Sequence, residues 1–461
     1  MLKSKKIIII ILLIISVLAV PFTSGILTKH YLDSILDSMS TYNSVNLKVS
    51  HYQAGYLSSQ VKIKIEPTLM IKHTLALYAK SDKEAKEIAL NPGIELNCTI
   101  QHWPVINENS SMLGFLTGIV ICKYQNKIAA KAFMAWNDAE VHLDKIAFDS
   151  FKFATHATLS LNNNPVVIYY SRGVKDRHYR INTKRYDFKA TGIHYWAQNV
   201  KGSFASQHHP SGLPIVKTDY LVEQGAMAYS LPNMSTKSMQ FNNFSVNATL
   251  DVKNNLIDAN FIMKSETFDV DNFLIKDLTV DMNISGISAT TTSKMFNAIL
   301  ASYKKADPKV MQAENMKIGM QYMGSLFMGS PRIHIKQLKA TTPNGKLDIM
   351  LDMKLDNNQK EMNIFNMMQV IPKVSVVECR FKAERKFFDE QAVKAIKGLE
   401  KYIIDDVAKA MGKPLDSPEV KQLSGNPEGL LKAMRDVKLV KDEGDMSSVT
   451  LFYNKGNVGL K

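Results

Sequence analysis

Residues 332–355 read RIHIKQLKATTPNGKLDIMLDMKL, and their reading decides the fold class. Ile333 and Ile335 alternate with Arg332, His334 and Lys336. On the return arm Leu347, Ile349, Leu351, Met353 and Leu355 share one side, against Lys346, Asp348, Met350, Asp352 and Lys354 on the other. Side chains of a strand point alternately to its two faces, so both arms are half-buried strands with one apolar face. Between them Thr341-Thr-Pro-Asn-Gly345 supplies turn chemistry, with an Asn-Gly pair suited to a hairpin.

The same period of two recurs on either side. Leu278, Val280, Met282 and Ile284 alternate with Thr279, Asp281, Asn283 and Ser285. Val377, Cys379, Phe381 and Ala383 make another one-faced strand. Val449, Leu451 and Tyr453, a turn over residues 454–457, then Val458 and Leu460 close the chain. Two helical stretches interrupt the strands. One covers 291–327, with a break at Pro308. The other covers 389–411, with Val393, Ile396, Leu399, Ile403, Val407 and Met411 at helical spacing, Asp389 as N-cap, and Gly412 and Pro414 as stop. The expected class is mainly β with covering helices (α+β): a single N-terminal transmembrane helix followed by an elongated antiparallel β-sheet body. A one-faced sheet needs a cover, and a helix, a second sheet or a bound apolar molecule would each serve. The rows at 278–284 and 347–355 are therefore either core or an apolar-ligand face.

Lys3, Lys5 and Lys6 precede an apolar run from Ile7 to Val20 broken only by Ser16, and the apolar character fades by Leu27. Ile7 to Leu27 matches the ~20 residues a helix needs to cross a bilayer. Lysines at its N-terminal end favour a cytoplasmic start and an exported body. The run also has signal-peptide length, but Ala19-Val-Pro21 puts proline where cleavage wants a small residue, so an uncleaved anchor over residues 1–27 is the reading.

The chain has 461 residues, 45% apolar and 22% charged, with a formal charge of +14. The basic residues are spread along it without a nucleic-acid motif, so no nucleic-acid partner is expected. Beside a membrane such a body suits anionic lipid or polysaccharide neighbours, and it equally describes a solvated basic surface. Three cysteines over this length exclude a disulfide-built scaffold. Cys98 and Cys122 lie in strand-like segments and are placed to bridge neighbouring strands in an oxidising compartment, leaving Cys379 as a small buried apolar residue.

Residues 28–39 read as a short helix. Strands follow at 45–49 and 61–65, the latter with Val61, Ile63 and Ile65 on one side and Lys62 and Lys64 on the other, and Gly55 allows a turn between them. An anchor, a helix and then the strand entry carrying Tyr52, Gly55, Tyr56, Ser58 and Ser59 resemble the YdgA-like family of Gram-negative inner-membrane-anchored periplasmic proteins. That resemblance implies an inner-membrane anchor and a periplasmic body, and it brings no catalytic residues. The exported part divides into a β-rich region at 28–237 and a second at 238–461. Within the first, 75–90 reads as a helix stopped at Asn91-Pro-Gly93, and 201–213 as a loop.

Candidate chemistry is sparse. Met316, Met320 and Met323, with Phe327 and Met328 beyond, sit at helical spacing and read as a packing stripe, with a soft-metal site as the sharper alternative. His208-His209 has no third ligand at recognisable spacing, His334 reads as solvated, and no second acid pairs with Asp269 or Asp271. No nucleophile elbow, phosphate loop or dinucleotide fingerprint is present. No catalytic, metal or cofactor site is expected. Three function classes follow: a binder of lipid or another envelope component, a structural or assembly factor working on envelope proteins, and, third, an envelope hydrolase.

Overall fold

The computed structural model describes residues 29, 32, 45–55, 58–67, 72, 83, 93–101, 118–124, 127–134, 138–143, 146–148, 157–160, 166–172, 176–190, 193–229, 236–302, 308–326, 329–356 and 367–461. They are mainly strands in antiparallel pairs, with a few helices. No helix among them is long and apolar enough to cross a membrane, and the stretch Ile7–Leu27 lies outside them. So do Tyr56, Phe327, Met328 and nearly all of the helices expected at 28–39 and 75–90.

The chain divides into two compact units, residues 1–206 with 220–239, and 207–219 with 240–461. Unit 1 opens with β1 (Val45–Gln53), β2 (Ser58–Pro67), β3 (Ile94–Gln101), β4 (Gly118–Tyr124), β5 (Lys127–Met134) and β6 (Asp138–Leu143), each paired with the next. β7 (Ile146–Phe148) and β8 (Ala157–Ser160) pair with each other. β9 (Val166–Arg172) returns to β6 and passes the ladder to β10 (Asp176–Ala190), which also pairs with β8. The inward rows are Leu47, Val61, Ile63, Ile94, Leu96, Cys98, Ile100, Val120 and Cys122, all buried. Polar neighbours alternate with them, as period-2 burial demands.

β11 (Ile193–Gln207), β12 (Ile215–Tyr229) and β13 (Lys237–Lys253) contribute to both units. β11 and β12 each have 15 residues, about 50 Å at ~3.3 Å per residue, well beyond the usual strand. The loop expected at 201–213 is therefore shorter: Lys201 to Gln207 continue β11, and only residues 208–214 turn. His208-His-Pro210 falls in that turn, and β11 stays extended up to it.

Unit 2 continues with β14 (Leu256–Val270), β15 (Phe273–Ser288), α1 (Ala289–Ser302), α2 (Pro308–Leu326), β16 (Arg332–Thr342) and β17 (Gly345–Leu355). Then come α3 (Met367–Val374), β18 (Ser375–Glu384), α4 (Arg385–Met411), α5 (Pro418–Lys421), α6 (Pro427–Asp436), β19 (Val440–Glu443), β20 (Met446–Asn454) and β21 (Asn457–Leu460). β14 to β18 form a ladder in chain order. β20 pairs with β18, and its other edge is shared by β19 and β21. Two-residue loops join the hairpins at Asp271-Asn272 and Lys455-Gly456, each residue at positive φ, which matches the twist of the flanking strands.

Two local expectations need correction. The loop between β16 and β17 is Pro343-Asn344, because Thr342 pairs with Gly345. Proline cannot take the positive φ of a primed turn, and Gly345 instead opens β17 at φ 130. The Thr342 hydroxyl donates to the Gly345 carbonyl at 2.9 Å across this loop. The stretch 291–327 is divided into α1 and α2, with Pro308 opening the second, as expected. The helix expected from 389 starts at Arg385 behind Glu384, so Asp389 is no N-cap; its carboxylate instead receives the Arg435 guanidinium. At the far end Gly412, at φ 67, donates its N–H to the carbonyls of Ala408 and Lys409, as a glycine stop does.

Candidate functional site

The apolar residues of the opening hairpin extend across six strands of unit 2. One row is Ala259, Ile284, Ile333, Met353, Val377 and Tyr453, each opposite the next. The second is Phe261, Met282, Ile335, Leu351, Cys379 and Leu451. The third is Met263, Val280, Leu338, Ile349, Phe381 and Val449. A bulge makes the alignment possible. Ile335 pairs with Leu351 but Leu338 with Ile349, so Lys336 and Gln337 share one step of β17 and Leu338 returns to the apolar side. Without that extra residue, Leu338 and Ala340 would point to the polar face.

The opposite face is polar and ion-paired. Arg332 forks onto Asp352, whose carboxyl it holds below the usual aspartate range. Lys336 lies 3.6 Å from Asp281 and Lys461 2.6 Å from Glu378. His334 Nδ1 stands 3.7 Å from Asp352, too far for a hydrogen bond, with its side chain 30% exposed.

The two ends of the apolar face differ in what lies on them. α4 and α6 cover the β17–β18–β20 end. There Phe388, Ile396, Ile403, Val407, Leu430, Leu431 and Met434 are buried together with Ala383 and Leu460, and Leu347, Phe381, Val449 and Leu451 pack against them. Phe388 is fully buried and stacks on Phe381 at 5.7 Å. The Asp406 carboxylate accepts the Leu460 N–H at 2.7 Å and ties α4 to β21. Toward β14, β15 and β16, and along β17 beyond Leu347, the rows are only half-buried: Leu278, Val280, Met282, Ile284, Ile349, Leu351 and Met353 all keep solvent access, and Ile333 is 36% exposed. Of the nine residues assigned from sequence to this face, Leu347 lies under the helices. Leu355 is buried at 5%, opposite buried Ser375, and the other seven line the open part.

Cys379 sits in the middle row, half-buried, and burial pushes its thiol above the usual cysteine value. A thiol so placed is unreactive at neutral pH. Cys98 and Cys122 face each other on β3 and β4 and are bonded, S–S 2.12 Å. Among the motif residues, Tyr52 Oη donates to Ser59 Oγ at 3.1 Å and the Gly55 N–H to the same oxygen at 3.3 Å, while Ser58 begins β2. A Cβ on Gly55 would lie 2.1 Å from the Ser58 carbonyl oxygen, so only glycine fits this turn.

The remaining candidates are local structure. His209 Nδ1 accepts the Ser211 N–H at 3.2 Å inside its turn. Asp269 and Asp271 belong to the β14–β15 hairpin, Asp271 in its loop. In the methionine stripe of α2, Met316 is 60% exposed and Met320 half-buried. No group of three metal-ligating side chains occurs among the described residues. Sequence reasoning passed over Tyr186 and Tyr195, whose hydroxyls lie 2.7 Å apart, and Tyr220 beside them. Burial, then these hydrogen bonds, raise the Tyr186 phenol far above its ordinary value. The only signal was their place in strand-like segments.

A family model described as bacterial protein of unknown function, DUF945, matches residues 1–460. No curated protein and no solved structure matches the chain. The family match spans both units and the hairpin from which the fold was read, so the chain belongs to the DUF945 family of bacterial proteins of unknown function.

Proposed function

We propose that this chain is a single-pass inner-membrane protein whose body lies in the periplasm and binds the acyl chains of an envelope lipid, without catalysing a reaction. The observation that carries the reading is the asymmetry of the apolar face in unit 2. Its rows continue without a polar interruption from β14 to β18, but α4 and α6 bury only one end. Contiguous apolar rows that keep solvent access suit a binding surface. Acyl chains match it because the rows from β14 to β17 offer hydrocarbon and thioether side chains, with adaptable Met263, Met282 and Met353 among them. The lysines before Ile7–Leu27, the apolar length of that segment and the YdgA-like strand entry support the membrane address.

Photo-crosslinking tests the site in place. Ile333 on the apolar face is 36% exposed and Met350 on the polar face 39% exposed, a matched pair on neighbouring strands. A photoreactive amino acid at 333 should capture phospholipid or lipopolysaccharide in cells, and the same residue at 350 should not. Equal capture at both, or none at 333, refutes the reading.

A second reading has its own observation. Phe296 on α1 and Met316 on α2 are 53% and 60% exposed, and these helices touch each other and β15. Exposed apolar side chains on a helix pair suit an envelope protein partner, and a structural or assembly role would run through them.

A further inference from the structure

The outward face of β1–β5 in unit 1 concentrates positive charge. Lys48 lies directly opposite Lys64, and Lys62, Asn97 and Lys123 follow one another across β2, β3 and β4. Lys131 on β5 faces Ile121. Side chains of Lys62 and Lys64 are 49% and 40% exposed, and Lys48, Lys123 and Lys131 are exposed as well. Two acids share this face. Lys64 holds Glu66, and Lys62 with Ser50 holds Glu95, each below the usual glutamate range. On this face the five named lysines stand against two glutamates, a balance of +3 (5 − 2), and Lys123 and Lys131 have no ion-pair partner among the described residues. Neighbouring charges are about 5–10 Å apart by strand spacing, close to the ~8 Å Debye length, so their fields add. Lys48 and Lys64, set directly opposite, repel one another, and Glu66 offsets part of that repulsion.

Two further features narrow the partner. Ile128, 37% exposed, stands opposite Lys123, and partly exposed Ile121 opposite Lys131. Lysines interleaved with exposed isoleucines fit the interfacial zone of a bilayer better than a soluble polyanion, which offers nothing for the isoleucines. Reach is the second. β1 starts 18 residues after Leu27 (45 − 27), at most about 60 Å of extended chain and about 27 Å if helical.

We propose that the outward face of β1–β5 docks on an anionic phospholipid bilayer surface, held by Lys48, Lys62, Lys64, Lys123 and Lys131 with Ile121 and Ile128 at the interface. This surface is separate from the acyl-chain face of unit 2, and it rests on the membrane anchoring proposed above only for its reach.

Amine labelling of the full chain tests it. The protein is reconstituted into neutral phosphatidylcholine vesicles and into vesicles of equal parts phosphatidylcholine and phosphatidylglycerol, and lysine modification is read by mass spectrometry. On the anionic vesicles the five lysines should label about fivefold more slowly, and raising the salt should restore them. Exposed Lys421 and Lys432 of unit 2 should not change. Paired Lys123→Glu and Lys131→Glu substitutions should abolish the protection of Lys62. Equal labelling of the five on both vesicles overturns the proposal, as does protection by soluble dextran sulfate but not by anionic vesicles. Flotation with the neutral vesicles reports the anchor independently, so failure of anchoring and failure of the face are distinguishable.

Discussion

The division of the apolar face into a closed and an open end predicts two very different costs for removing side chains from it. Phe388 is fully buried and stacks on Phe381 in the helix-covered end, and truncating such a phenylalanine costs about 3–5 kcal/mol in transfer and cavity terms. Ile333 is 36% exposed. Complete burial of an isoleucine is worth about 1.5–3 kcal/mol, so the part of its surface that is covered is worth about 1–2 kcal/mol. Phe388→Ala and Ile333→Asp therefore differ in kind. The first damages the unit, and the second removes an apolar patch and leaves the charge in water. All three tryptophans, Trp103, Trp136 and Trp196, belong to unit 1, so fluorescence does not report on unit 2. Amide hydrogen exchange on β17 and β18 does. Phe388→Ala should lower their protection by roughly a hundredfold or more, and Ile333→Asp by roughly five- to thirtyfold, at 1.4 kcal/mol per decade. Co-purifying lipid should fall in the Ile333→Asp protein. Collapse of β17 protection in Ile333→Asp to the level of Phe388→Ala would refute the reasoning, because the face at Ile333 would then be closed core.

The bond between Cys98 and Cys122 spans a sequence separation of 24 and should contribute about 3.5 kcal/mol to unit 1 by loop entropy, so Cys98→Ala with Cys122→Ala should lower the unfolding temperature reported by tryptophan fluorescence. Without reductant the denatured protein should titrate one thiol, that of Cys379, and three after reduction. Acid should weaken the helix-covered end of unit 2. The Ser447 hydroxyl and then Arg435 hold the Asp442 carboxyl below its ordinary value of 3.8. A depressed folded pKa adds stability that is present above the ordinary value and lost as pH falls through the lowered one, so stability should drop as pH falls below about 4 and the drop should be shallower in Asp442→Asn. An identical acid slope in that variant would assign the effect to other carboxylates.

Much of the strand architecture could be read locally. Leu347, Ile349, Leu351, Met353 and Leu355 declare a one-faced strand because backbone geometry alone sends every second side chain the same way. Gly412 at its positive φ and the Asn454–Asn457 turn were legible for the same reason, since a single residue's conformational freedom decides them. Where two residues competed, the reading slipped. Asn344-Gly345 looked like the turn, but Pro343 excludes positive φ and moves the loop one residue back. Asp389 looked like an N-cap, but Arg435, 46 residues away, had a stronger claim on it.

The sequence by itself determined the antiparallel character, the apolar and polar sides of the strands at 278–285, 346–355 and 377–383, and the strands that carry Cys98 and Cys122, because each depends on residues a few positions apart. Tertiary structure alone decided which parts of those sides are buried. The bulge at Lys336–Gln337 that aligns Leu338 with Ile349, the return of β9 to β6 past β7 and β8, and the placing of α4 and α6 over one end of the apolar face all join residues on different elements. Periodicity records which way a side chain points. Coverage depends on which distant element comes to lie against it, and no local pattern encodes that.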